Sequence, residues 1–207
     1  MPVIHGYSYD EIDAMIKKVI EIKKDFECYG IGSLVPLLFP FNIKKAKIIL
    51  DLLVYVRRRL PNVFLHVFGM GSILTMHLAF LLGADSVDSQ GWVRCAGHCK
   101  IQIPGLGQRF VVRCNERFRY PQWSPCVNWL DYYCDCPICK KKNYKKLLIS
   151  SKTNRAIHNA YTLCSEIELI RKFIQKGEYL EFVESRLQRT SLFPLLKYIK
   201  KKYLLNG

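Results

Sequence analysis

The amino-acid sequence predicts an α/β fold built on a parallel β-sheet, and three observations support this prediction. Short apolar runs alternate with amphipathic helical segments through residues 1–90. The runs are apolar throughout, which is typical of strands that a parallel sheet buries on both faces. A helical segment separates each run from the next, so consecutive strands are joined by crossovers. The pattern fits doubly wound sheets and closed barrels equally.

Four strand–helix units follow in order and form the first predicted domain, residues 1–90. Strands are predicted at 3–6, 29–37, 64–68 and 84–87, and helices at 10–27, 42–59 and 73–82. In the first helix, apolar residues recur on one face with lysine and glutamate opposite. The second helix ends in Arg57-Arg58-Arg59, whose charges suit the negative end of the helix dipole.

Two further regions are predicted in the rest of the chain. Residues 91–133 are rich in glycine, proline, arginine and aromatic residues and show no lasting period, so we expect an irregular insertion with one strand at 109–113. Residues 134–207 begin with a cysteine cluster and continue with helical periodicity over 165–205. This third region is predicted to be a metal-binding lobe with closing helices.

The chain is strongly basic, with 32 lysine and arginine residues against 17 acidic residues and a net charge of +15. A surplus of this size favours a polyanionic partner such as a nucleic acid, because each neutralised phosphate releases counterions. The alternative is a solvated basic surface with no such partner.

Cysteine usage and hydropathy indicate a cytoplasmic protein with no membrane segment. Nine cysteines are an odd number, and three of them lie within six residues, which is more typical of metal binding than of a disulfide framework. Proline, glycine, histidine or asparagine interrupts the longest apolar stretches before they reach the roughly 20 residues that span a bilayer.

The cysteine cluster predicts one structural zinc ion, with its ligands in the pattern C-x-C-x-x-C…H: Cys134, Cys136, Cys139 and His158. Three thiolates and one imidazole complete a tetrahedron and leave no open position for catalysis. Cys126 and Cys164 are alternative fourth ligands. Cys95 and Cys99 with His98 could mimic a second site, but we favour ordinary cysteines there.

An ordered series of motifs resembles the tRNA-guanine transglycosylases, including their archaeosine-forming branch and relatives that act on DNA. Beyond the zinc pattern, the resemblance covers Pro2-Val3-Ile4-His5-Gly6, Tyr29-Gly30-Ile31-Gly32-Ser33-Leu34-Val35-Pro36, Phe68-Gly69-Met70-Gly71, Gly83-Ala84-Asp85-Ser86-Val87-Asp88-Ser89, His158-Asn159 and Lys176-Gly177-Glu178. It implies the C-terminal half of a (β/α)8 barrel with a zinc-binding insertion and C-terminal helices. It also implies an enzyme, a pentosyltransferase that exchanges guanine in tRNA or DNA for a 7-deazaguanine base without breaking the backbone.

The resemblance also implies roles for individual residues. The family pattern D-x-x-D makes Asp88 the nucleophile, with Asp85 as the competing candidate; turn capping is the alternative for both. The base pocket would comprise His5, Gly6, Gly30, Ile31, Phe68 and Gly69. The family commonly has glutamine where this chain has His5, and a buried core histidine is the alternative there.

The resemblance begins about halfway through the family barrel, and the second catalytic aspartate and a D-S-G-G-F-Q-like motif have no counterpart here. We therefore expect a separate N-terminal half-barrel chain, self-association or a truncated remnant. Arginines interleaved with aromatic residues suit phosphate contact and base stacking, or a loop covering the barrel mouth: Arg94, Arg109, Arg113 and Arg117. The alternative function is a non-catalytic, zinc-stabilised nucleic-acid-binding subunit.

Overall fold

The computed structural model describes residues 1–22, 26–34, 42–111 and 134–204. The chain divides into two compact units. The first takes its residues from Met1–Gly71, from Thr75–Ser89 and from Pro194 onward, and the second from Ser72–Leu74 and Gln90–Phe193. Residues 91–111 belong to the same unit as the cysteine cluster.

A parallel sheet of four short strands forms the centre of the first unit, in agreement with the predicted fold class. The strands are β1 (Val3–Ile4), β2 (Cys28–Ile31), β3 (Phe64–Val67) and β4 (Ser86–Val87). Their order in the sheet is β1-β2-β3-β4, and every neighbouring pair is parallel. The carboxyl ends of all four strands therefore lie along one edge of the sheet.

The strands of the first unit are joined by the predicted crossover helices. They are α1 (Tyr9–Ile22), α2 (Ile43–Arg59) and α3 (Thr75–Leu81). Asn42 caps α2, and its side-chain oxygen accepts hydrogen bonds from the backbone N–H groups of Lys44 and Lys45. At the other end, Arg57 donates to the carbonyl oxygens of Leu60, Pro61, Val63 and Gly83. In addition to any interaction with the helix dipole, this arginine therefore connects the loops that precede β3 and β4.

The second unit shows regular structure where the sequence predicted an irregular segment. Its elements are α4 (Gly91–Gly97), an antiparallel hairpin of β5 (Lys100–Ile103) and β6 (Gly107–Phe110), and the helices α5 (Tyr144–Ser150), α6 (Lys152–Gln175) and α7 (Tyr179–Leu187). The strand expected at 109–113 is thus β6, at 107–110. Helix α4 is too short to show a helical period in the sequence. In the hairpin turn, Gly105 and Gly107 adopt positive φ values of 70° and 79°, which favour glycine.

The helical tail is confirmed in α6, α7 and α8 (Phe193–Ile199), which a π-helical turn extends over Lys200–Leu204. In the first unit, the part of this tail from Pro194 onward is held by one carboxylate of α2. Asp51 accepts hydrogen bonds from the hydroxyl groups of Tyr198 and Tyr203 and from the ammonium group of Lys202. Within the described residues, the helices are all too short or too polar to cross a membrane.

Candidate active site and metal centre

The residues predicted to form an active site lie at the carboxyl edge of the parallel sheet. His5 follows β1, Ser33 lies beyond β2, Phe68 and Gly69 follow β3, and Asp88 follows β4. In parallel α/β folds this edge is where functional groups from successive loops converge. The topology therefore brings side chains from four separate motifs to one side of the sheet.

Asp88 is a solvent-facing carboxylate held in a fixed orientation. Its Oδ1 atom accepts a hydrogen bond of 2.6 Å from the backbone N–H of Gly69, and its carbonyl oxygen accepts one of 2.9 Å from Gly71. A Cβ atom on Gly71 would lie only 2.7 Å from that carbonyl oxygen. The side chain is 54% exposed, and no described residue forms a hydrogen bond with its second oxygen, Oδ2. One oxygen is thus anchored, while the other has no hydrogen-bond partner among the described residues, an arrangement that would suit a nucleophile.

Asp85, the competing candidate, is engaged in structural contacts. It precedes β4, and its Oδ2 atom accepts hydrogen bonds from the Arg57 guanidinium at 2.5 Å and from the backbone N–H of Leu65 at 2.7 Å. Leu65 lies in the first half of β3, so these contacts are at the amino end of the strands. This geometry favours Asp88 over Asp85 as the reactive carboxylate.

His66, which the sequence analysis did not select, lies beside Asp88. Its Nδ1 atom is 2.6 Å from the Ser86 hydroxyl, and its Nε2 atom is 3.8 Å from Oδ1 of Asp88. The ring also contacts Phe68 edge-to-face, with 4.4 Å between centroids. The available signal in the sequence was a polar residue within an otherwise apolar strand, Phe64–Val67. Its position in β3 places His66 at the site rather than in the core.

The predicted base-pocket residues are placed by close contacts with β2. The exposed His5 ring contacts the Ser33 hydroxyl at 2.8 Å, so the alternative of a core histidine is wrong. A Cβ atom on Gly32 would lie 2.6 Å from the His5 ring, and one on Gly30 would lie 2.7 Å from the Phe68 ring. Glycine at these two positions lets both aromatic rings lie against the strand.

Two other predicted pocket residues have mainly structural surroundings. The side chain of Ile31 is buried with 3% exposure, so only its backbone is available at the strand end. Gly6 lies against the start of α1, where an added Cβ atom would be 3.1 Å from the Glu11 side chain and 3.2 Å from the backbone nitrogen of Ile12. Its small size is therefore required for packing, whatever else it contacts.

The four predicted metal ligands converge in the second unit. The ligand atoms of Cys134, Cys136, Cys139 and His158 all lie within 4.8 Å of one another, and the last three residues are buried. The Nδ1 atom of His158 is 3.3, 3.5 and 3.4 Å from the three sulfur atoms in chain order. Zinc bond lengths of about 2.3 Å to sulfur and 2.0–2.1 Å to nitrogen give a tetrahedral edge of about 3.6 Å. The cluster could therefore hold a metal ion, and its donor set suits zinc.

The surroundings of the cluster orient the histidine and concentrate charge. The Nε2 atom of His158 is 3.3 Å from the carbonyl oxygen of Gln102 in β5, which leaves Nδ1 directed at the thiols. Contact with Cys134 lowers the pKa of the Cys136 thiol and raises that of Cys139. Burial lowers the pKa of His158, but contacts with Cys134 and Cys136 outweigh it and raise the value to about 9. A divalent cation would neutralise the negative charge that the clustered thiols share when they lose protons.

Cys164, the alternative fourth ligand that the structure describes, does not join this cluster. Cys164 is exposed on α6, and Cys126 lies outside the described residues. Cys95 is buried, and burial raises the pKa of its thiol. In the described ranges, no second group of histidine, cysteine and acidic residues has metal-binding geometry.

The predicted nucleic-acid contacts are described only in part. Arg94 is exposed on α4, Arg109 is half-buried on β6 with its pKa lowered by burial, and Arg113 and Arg117 lie outside the described residues. The structure shows a stronger basic feature beside the metal cluster, which we call the lysine surface. It comprises six exposed residues: Lys140, Lys141, Lys142, Lys145, Lys146 and Lys152. In the same segment, 134–155, Asp135 is the one acidic residue.

Known proteins resemble this chain over most of its length. The queuine tRNA-ribosyltransferase family model matches residues 1–191. The tRNA-guanine(15) transglycosylase of Pyrococcus abyssi is 26% identical over 189 residues, which cover 88% of this chain and 29% of that protein. The proteins of the same name from Archaeoglobus fulgidus and Methanosarcina barkeri are each 28% identical, covering 78% and 97% of this chain.

The chain spans only about a third of the length of these relatives, 31% and 37% for the last two. The family match nevertheless extends from the first strand through α7 and includes both the carboxyl edge of the sheet and the cysteine cluster. The chain therefore belongs to the queuine tRNA-ribosyltransferase family.

Proposed function

We propose that this chain is the nucleophile-bearing half of a guanine transglycosylase that acts on tRNA. The observation that carries the proposal is the carboxylate of Asp88, exposed at the carboxyl edge of the sheet and anchored through one oxygen by the Gly69 N–H. The relatives named above support a tRNA substrate over a DNA substrate.

The reaction needs two displacements at one carbon atom. An electron pair on Oδ2 of Asp88 forms a bond to C1′ of the nucleotide as the C1′–N9 bond breaks, and the departing guanine takes up a proton. The incoming base then loses a proton, attacks C1′ through its nitrogen and releases the Asp88 carboxylate. No bond of the phosphodiester backbone breaks in either step.

The surroundings of Asp88 suit a flat heterocycle. The Phe68 ring lies at the strand end beside Gly69, whose positive φ of 78° brings backbone close to the site. His5 and Ser33 offer hydrogen-bonding groups at the ends of β1 and β2. We propose that these groups receive first guanine and then a 7-deazaguanine, which has the same Watson–Crick edge.

Zinc, when bound by Cys134, Cys136, Cys139 and His158, would supply structural order and no chemistry, because four protein ligands leave no open position. The cluster packs with an apolar core that includes Ile101, Ile103, Val111, Ile138 and Leu148. We propose that the metal fixes this lobe in the conformation that presents the lysine surface.

The lysine surface suits the phosphate backbone of the tRNA. Arg155 is buried and donates to the carbonyl oxygens of Ala96, Leu148 and Ile149, which fixes the junction of α5 and α6. The six lysines, which lie before α5, within it and at the start of α6, are exposed. Exposed ammonium groups on a fixed backbone attract phosphates independently of sequence. We propose that this surface contributes more to binding than the arginines first predicted.

The sheet has two open edges in the part of the chain that the structure describes. There β1 pairs only with β2, and β4 only with β3. Unpaired backbone groups at a sheet edge call for further strands, and a closed barrel supplies them. Ile22 of α1 is also 82% exposed. We propose that an N-terminal half-barrel on a separate chain, or else a second copy of this chain, covers these edges.

The test is covalent capture of a guanine-containing tRNA by the chain combined with a D-S-G-G-F-Q-bearing half-barrel. Wild type should give an adduct on denaturing gels, and Asp88→Asn should abolish it while tRNA binding persists. Asp85→Asn is the matched control, which should lower stability but leave the adduct on folded protein. Equal capture by Asp88→Asn and wild type would overturn the assignment of Asp88 as nucleophile. If wild type bound tRNA but formed no adduct, the result would favour the non-catalytic binding subunit.

A further inference from the structure

We infer that His66 is a positioning residue for Asp88, an inference that rests on the function proposed above. The starting observation is that the His66 ring approaches two groups of the neighbouring strand end, the Ser86 hydroxyl through Nδ1 and the Asp88 carboxylate through Nε2. Ser86 and Asp88 belong to the same strand end, and His66 lies opposite Ser86 in the β3–β4 register.

The Ser86 contact determines which way the His66 ring presents its nitrogen atoms. With Nδ1 2.6 Å from the Ser86 hydroxyl, Nε2 is directed toward Oδ1 of Asp88. A lone pair on Nε2 would repel the carboxylate, whereas an N–H would attract it. The favoured neutral tautomer therefore carries its proton on Nε2, and the Ser86 hydroxyl donates to Nδ1.

The ring has little freedom to leave this position. The His66 side chain is 17% exposed, and the Phe68 ring packs against it edge-to-face. The 3.8 Å between Nε2 and Oδ1 is longer than a hydrogen bond, and a contact of this kind commonly tightens when substrate enters the site.

The role of His66 follows from the two oxygens of Asp88. The Gly69 N–H holds Oδ1 from one direction. An Nε2–H group from His66 supplies a second donor to the same oxygen, which prevents the carboxylate from rotating about its Cβ–Cγ bond. Oδ2 then stays directed at the anomeric carbon. The same donor stabilises the carboxylate when the second displacement releases it.

Two substitutions separate this role from a structural one. His66→Gln keeps an amide nitrogen close to the position of Nε2 and can still donate to Asp88. His66→Asn places its amide close to the position of Nδ1 and keeps only the Ser86 contact. If His66 positions Asp88, glutamine should keep the rate of adduct formation at saturating tRNA within about threefold, and asparagine should lower it by about tenfold to a hundredfold. Equal rates for the two variants, at similar thermal stability, would overturn the inference.

A second readout needs no activity and uses the zinc-loaded chain alone. In ¹⁵N NMR spectra of the histidine rings, His66 should show the Nε2–H tautomer. Asp88→Asn should shift the Nε2 resonance of His66, and Ser86→Ala should abolish the preference for this tautomer. A dominant Nδ1–H tautomer, or an Nε2 resonance that Asp88→Asn does not shift, would refute the inference even if the position-66 variants failed to fold. Adduct formation by Asp88→Asn would instead refute the proposed function, so the two failures are distinguishable.

Discussion

The substitution Gly71→Ala tests how closely the loop that carries Asp88, the proposed nucleophile, is held. The new Cβ atom would lie 2.7 Å from both the carbonyl carbon and the carbonyl oxygen of Asp88. This is about 0.7 Å short of ordinary contact, and the obstructing atoms are backbone that cannot rotate away. The loop must therefore move by several tenths of an ångström and carry the carboxylate with it.

We expect Gly71→Ala to lower the free energy of unfolding by about 1–3 kcal/mol, the usual effect of overpacking. Adduct formation should fall by about tenfold to a hundredfold on the protein that remains folded, because a displacement of about 1 Å can lower the rate about a hundredfold and this one is somewhat smaller. Urea unfolding followed by circular dichroism gives the first quantity, and single-turnover capture of labelled tRNA gives the second.

Gly97→Ala is the matched control for this substitution. Its Cβ atom would approach only the Lys152 side chain, at 3.8 Å, and alanine suits a helix better than glycine. We expect stability to rise by up to about 1 kcal/mol and capture to stay unchanged. If Gly71→Ala matched Gly97→Ala in both assays, the close approach of Gly71 to Asp88 would be disproved as a constraint on the site.

Three further predictions concern the metal, the C-terminal turn and the lysine surface. Elemental analysis should find one zinc per chain, and a chelator or His158→Ala should lower the unfolding temperature, whereas Cys164→Ser should change neither quantity. Burial and the hydrogen bond to Asp51 raise the pKa of Tyr203 to about 12, so its contribution to stability is complete below pH 10 and is lost as the pH rises toward 12. Tyrosinate absorbance at 295 nm should show this late titration, and Asp51→Asn should move it toward lower pH; an unchanged titration would contradict the contact. Changing Lys140, Lys141 and Lys142 to glutamine should lower the slope of log Kd for tRNA against log salt by about 2–3, while the same change at Lys17 and Lys18 of α1 should leave it unaltered.

Features with a local chemical cause could be predicted from the sequence. Helix α2 begins after Asn42 and ends at Arg59, as expected, because a capping side chain and a basic last turn mark its two ends. The metal cluster was predicted from spacing, because three cysteines on one short loop followed by a histidine are typical of a zinc site. The parallel sheet followed from apolar strands separated by helical crossovers.

Features that depend on pairing at a distance could not be predicted. Helix α4 and the β5–β6 hairpin lie in a segment without periodicity, and β5 buries Gln102, whose backbone N–H donates to the side chain of Asn159 in α6. His66 looks like an isolated polar residue until the register of β3 and β4 sets it opposite Ser86. The different contacts of Asp85 and Asp88 likewise emerge only when β4 separates the two residues toward opposite ends of the sheet.

The first unit is assembled from two separate stretches of chain, and this affects the order in which the protein folds during synthesis. Its residues come from two stretches of chain, and the contacts of Asp51 with Tyr198 and Tyr203 span 147 and 152 positions. At a translation rate of roughly 5–20 residues per second, α2 leaves the ribosome several seconds or more before its tail partners exist. The second unit, which lies between the two stretches, is synthesised in that interval, so its folding can begin before the first unit is complete. The first unit is then completed only after the second unit has been made, and its partly formed sheet exposes unpaired strand edges until that point.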